Sequence, residues 1–116
     1  MQFTLATFVI AALAASANAT VYLGTRTGVD GAQDKVAWSN GTPDVCSGFT
    51  RVSSASEIPC DRDFNVDGNN GPFRFVGCGG AGLTLFRNGQ FNTNCKSAGK
   101  DINCPGDVKI KQEWQC

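Results

Sequence analysis

The chain of 116 residues contains no histidine. That absence removes the Ser-His-Asp and Cys-His nucleophile systems, histidine acid–base pairs and histidine-ligated metals. An excess of charge of either sign is also missing. Ten Lys and Arg balance ten Asp and Glu, so the chain has no electrostatic footprint for nucleic acid or for an anionic membrane. Closely spaced cysteine pairs are lacking as well. The shortest gap, between Cys95 and Cys104, holds eight residues, too many for the C-x-x-C spacing of zinc or thioredoxin-like sites. Beyond residue 19 no window of a dozen residues carries the apolar spacing of an amphipathic helix. No repeat, charge run or low-complexity linker divides the chain, and its length supports one small domain.

What is present begins with an address. Residues 1–19 read MQFTLATFVIAALAASANA, with an apolar stretch over 8–15 and then Ala17-Asn18-Ala19. This is the format of a secretory signal peptide with its small-x-small cleavage site, and the stretch is shorter than the ~20 residues that span a bilayer. The expected division is therefore a signal peptide over 1–19 and a single secreted domain over 20–116. All six cysteines, Cys46, Cys60, Cys78, Cys95, Cys104 and Cys116, lie in that domain. An even number in a short exported chain predicts three disulfides, and the spacing alone leaves their pairing open. Each bridge is worth about 2–4 kcal/mol, comparable with the net stability of a domain this small.

The mature segment reads as strands and turns. In 107–115, Val108, Ile110, Gln112 and Trp114 alternate with Lys109, Lys111 and Glu113, the period of a half-buried antiparallel strand. The lysines suit an outward face that resists edge-to-edge pairing, and Trp114 is expected in the core. Leu83–Arg87 and Gln90–Asn92 flank Asn88-Gly89, a type I′ hairpin signal. Further strands are expected at 21–25, 35–39, 48–52 and 72–77, with at most one helical turn in 53–58. Short strands separated by Gly-, Asn- and Asp-rich turns predict an all-β, disulfide-rich antiparallel sandwich.

Few residues in this pattern carry chemistry. Asp63, Asn65 and Asp67, followed by Gly68, match the first half of a calcium loop. Arg74 stands where the closing Glu belongs, however, and Pro72 interrupts the second half, so a solvated turn is the plainer reading. Asp61, Asp63 and Asp67 offer carboxylates but nothing that would form a cleft around them. Asn40-Gly41-Thr42 is a glycosylation sequon on a predicted turn, with Pro43 after it. The glycine-rich segment 77–82 is expected to be a tight corner rather than a phosphate loop. No catalytic residue, metal or cofactor is expected, and the protein is expected not to be an enzyme.

The Ala-rich signal and six cysteines resemble the format of small secreted cysteine-rich proteins of filamentous fungi, many of them apoplastic effectors of virulence. The resemblance implies a monomer that acts outside the cell on a host protein, a receptor or a cell-wall polysaccharide, with no nucleic acid or membrane insertion. The hairpin from Phe86 to Phe91, followed by the strand 108–115, is similar to the aromatic hairpin of βγ-crystallin Greek keys. That fold is shared by some antimicrobial proteins and killer toxins, so a toxin is the alternative expectation. An inhibitor of a secreted host enzyme is a variant of the effector reading.

Overall fold

The structure, a computed structural model, describes residues 20–67, 69–80 and 82–116. The segment read as a signal peptide, 1–19, lies outside the described residues, as does Gly68 of the calcium-like motif. Nine strands follow one another among the described residues: β1 (Val21–Thr27), β2 (Gln33–Ser39), β3 (Thr50–Ser54), β4 (Phe64–Val66), β5 (Asn69–Val76), β6 (Thr84–Arg87), β7 (Gln90–Asn94), β8 (Lys96–Asn103) and β9 (Lys109–Gln115). One helical turn, α1 (Val45–Gly48), precedes β3. The strands form two antiparallel sheets, ordered β3-β2-β1-β9-β8 and β4-β5-β6-β7. This is the all-β, disulfide-bonded sandwich expected from the strand and turn pattern. The chain returns from the second sheet as β8, and β9 then pairs between β8 and β1, a Greek-key order. The second sheet, which holds the Phe86–Phe91 hairpin, is a plain meander.

The core fills the space between the sheets. Val21, Leu23, Ala37 and Val52 from one side meet Phe64, Val66, Phe73, Phe75, Leu83 and Leu85 from the other. Phe64 stacks on Phe75 at 5.1 Å between ring centroids, adding a ring–ring term to the burial itself. The first sheet also buries part of its far face. There Val36, Trp38 and Ile110 lie under Tyr22, Val45, Phe49, Ile102 and Cys104. Asp44 caps α1 by accepting from the Cys46 N–H at 3.0 Å, and this turn carries the cover over the second cluster.

Strand β9 differs from its expected alternation at one place. Leu23 pairs with Trp114 while Gly24 pairs with Gln112, so Glu113 is an extra residue, a β-bulge. Because side chains alternate with period two, that single residue reverses every side chain beyond it. Ile110 belongs to the far-face cluster, whereas Trp114 packs on the inner core. The expected shared face of Ile110 and Trp114 is thus corrected. Nor is β9 an edge: it lies between β1 and β8, so Lys109 and Lys111 do not guard a free edge.

Other local expectations meet their physical causes. Asn88 and Gly89 have φ of 54° and 77°, as the type I′ turn requires. The segment 53–58 forms a turn closed by Glu57, whose Oε1 accepts from the Ser54 N–H at 3.1 Å and from Ser54 Oγ at 2.9 Å. The disulfides pair Cys46 with Cys104, Cys60 with Cys78, and Cys95 with Cys116. They tie α1 to the end of β8, the β3–β4 loop to the glycine-rich corner, and the β7–β8 junction to the last residue.

Candidate functional site

The carboxylates singled out in the sequence do not converge. Strand β4 turns Phe64 and Val66 into the core and leaves Asn65 exposed, with Asp63 and Asp67 flanking it. Asp63 accepts from Arg74 Nε at 2.9 Å, and this contact raises the Arg74 pKa above its ordinary value. Asp67 instead accepts the hydroxyls of Ser39 and Thr42. Among the described residues no cluster of three or more candidate metal ligands occurs. Asp61 is an exposed turn residue whose N–H donates to Phe75 O at 2.8 Å. Asn40 sits exposed on the turn after β2, its N–H donating to Thr20 O at 3.0 Å. Glu57 has its pKa lowered chiefly by the Ser54 backbone N–H, then by the Ser54 hydroxyl and the nearby Arg62 charge.

A broad polar surface lies elsewhere, on the first sheet. On the inner side of the first sheet Val21, Leu23 and Ala37 are buried beneath the second sheet. Further along the same side Thr25, Thr27 and Lys35 are half-buried and Gln33 is exposed. The uncovered part forms an open furrow of about 510 Å³ whose lining includes Thr25, Thr27, Gln33, Lys109, Lys111 and Glu113. Smaller hollows adjoin it, and Trp114, Lys35 and Glu113 line both of them.

Strand register arranges these side chains in two rows across four strands. Lys35, Thr25, Lys111 and Asp101 stand opposite one another in the first row; Gln33, Thr27, Lys109 and Asn103 form the second. Neighbouring strands lie about 4.8 Å apart and successive same-side residues about 6.7 Å apart, so the rows form a regular polar grid. Part of it is held in place. Lys35 Nζ donates to Glu113 Oε1 at 2.8 Å and to Thr25 Oγ1 at 2.9 Å, and Thr25 Oγ1 donates to the same Oε1 at 3.1 Å. Gln33 Nε2 donates to Thr27 Oγ1 at 3.1 Å. The bulge is what places Glu113 in this triangle while Trp114 turns inward.

Such a surface presents fixed hydroxyl, amide, carboxylate and ammonium groups, the means of binding a polar ligand by many modest contacts. Sequence reading missed it because its residues come from β2, β1, β9 and β8, and only register brings them together. The alternation of Lys109 and Lys111 was the one legible sign. A second surface lies on the outer side of the second sheet, where Phe86 meets Phe91 edge-on at 6.2 Å and Phe91 is 58% exposed. No known protein family, characterised protein or solved structure matches this chain.

Proposed function

We propose that the protein is a secreted, non-enzymatic effector of fungal type that acts in the host apoplast by binding a cell-wall polysaccharide through the furrow on its first sheet. The polar grid carries this reading. It offers hydrogen-bonding groups in a regular array on rigid strands, and rigidity limits the ordering cost of binding. Three disulfides fit an oxidising, extracellular setting. No helix among the described residues is long and apolar enough to cross a membrane. Glu113 Oε1 in the furrow accepts from Lys35 and Thr25, which fixes the carboxylate in place. A glycan on Asn40 belongs to the same secreted reading.

The test is retention of the purified disulfide-bonded protein on isolated plant and fungal cell walls. Wild-type protein is expected to be retained, and a Thr27→Val/Gln33→Leu variant to be released. Equal retention of both, or of neither, would count against the furrow. The exposed Phe91 face favours a second reading, a receptor-directed antimicrobial or killer-type toxin. Growth inhibition of competing microbes that is lost in Phe91→Ser would favour that alternative.

A further inference from the structure

The furrow and the hollows beside it hold three lysines, Lys35, Lys109 and Lys111, against two carboxylates, Glu113 and Asp101. Lys35 is matched by Glu113 at 2.8 Å. The other ion pairs among the described residues join Arg51 to Asp34, Arg62 to Glu57 and Arg74 to Asp63. Among the described residues Lys109 and Lys111 make no ion pair, and Asp101, which also lines the furrow, stands across from Lys111 in register. Both lysines are exposed on the same side of β9, roughly 6.7 Å apart along the strand. That backbone spacing is shorter than the screening length of about 8 Å at physiological salt, so the two positive charges act together, and Asp101 offsets only one of them. Lysine is also distributed unevenly: all five, Lys35, Lys96, Lys100, Lys109 and Lys111, lie on the first sheet.

Beside this pair the grid supplies neutral groups, the Thr27 hydroxyl bonded to Gln33 and, across from Lys109, Asn103. A ligand that suits the whole surface carries anionic groups at intervals along a chain rich in hydroxyls. Resting on the wall-binding reading above, we propose that the furrow binds a carboxylated polysaccharide, a uronate chain crossing β2, β1 and β9. Its carboxylates meet Lys109 and Lys111, and its ring hydroxyls meet Thr27 and Gln33. Nucleic acid fits less well, because Trp114, the aromatic that lines the adjoining hollows, packs against the core instead of offering an open stacking platform.

Calorimetric titration of the purified disulfide-bonded protein with defined oligomers tests this. Galacturonate and alginate oligomers separate two uronate sources, xyloglucan and chitin oligomers supply neutral chains, and heparin and single-stranded DNA supply other polyanions. At least one uronate oligomer is expected to bind, and binding should weaken as salt rises from about 0.05 to 0.5 M. Lys109→Ala/Lys111→Ala should weaken it by about tenfold or more, while Lys109→Arg/Lys111→Arg should retain it. If neutral oligomers bind as tightly and the alanine variant is unaffected, the uronate assignment fails and the wall-binding reading stands. Heparin or DNA binding as tightly as any uronate overturns the assignment in favour of a general polyanion surface. If no oligomer binds, both readings fall.

Discussion

Gly24 shows how one residue constrains the neighbourhood of the furrow. A Cβ added there would lie 2.4 Å from Lys111 O and 3.0 Å from the Trp38 ring, beside the bulge where β1 and β9 change register. Gly24→Ala is therefore expected to cost roughly 1–3 kcal/mol through forced displacement of β9, read as a lower urea midpoint with an unchanged slope. Glu113 carries a different consequence. Its pair with Lys35 is partly exposed, so Glu113→Gln should cost no more than about 1 kcal/mol of stability. The same change leaves the Lys35 charge uncompensated, and uronate affinity should rise; a fall would mean that the carboxylate itself contacts the ligand. Glu57 provides a pH signature. Its pKa in the folded chain lies below the usual carboxylate value because Ser54 and Arg62 favour the charged form. The contact therefore contributes at neutral pH, and its contribution is lost as pH falls through that lowered value. An NMR titration should find Glu57 titrating below the ordinary glutamate value, and Ser54→Ala, which removes the hydroxyl donor, should move it part of the way back up.

Strands differ in how much of themselves they show in sequence. The alternation of β9 marked a half-buried strand, and Asn88-Gly89 marked the β6–β7 turn, because both are enforced by local geometry. The bulge at Glu113 leaves no local trace: the pattern of alternate residues continues unbroken, and only pairing with β1 shows that Trp114 faces the opposite side from Ile110. Strand β8 was invisible for another reason. It is an edge strand, exposed along most of its length, so no apolar face is selected and no alternation survives. Strand β4 was hidden inside an acidic motif whose even and odd residues serve different neighbours. The α1 turn was missed because four residues carry no periodicity; what holds them is the bond from Cys46 to Cys104, 58 residues away in sequence. Removing that bond with Cys46→Ser/Cys104→Ser should cost about 4 kcal/mol from loop entropy. It should also loosen the cover over Trp38, visible as a red-shifted tryptophan emission. Unchanged emission with lowered stability would show that Val45 and Phe49 keep their place without the bridge.

For the molecule as a whole, the six cysteines and the short strands between Gly-, Asn- and Asp-rich turns pointed to a disulfide-bonded β sandwich, and the fold follows that outline. The pairing of the cysteines and the candidate site were not legible, since both depend on which distant segments the two sheets bring together. The first sheet is the asymmetric partner: it is covered in part on both faces, holds every lysine, and leaves one stretch of its inner side as an ordered polar surface. Placement of the ligand on that stretch is the central claim. The most direct measurement is an NMR titration of the isotope-labelled, disulfide-bonded protein with soluble cell-wall oligosaccharides, followed at each backbone amide. The account predicts saturable shifts clustered at Thr25, Thr27, Gln33, Lys109 and Lys111. Shifts clustered instead around Phe86 and Phe91, or none with any oligosaccharide, would contradict it.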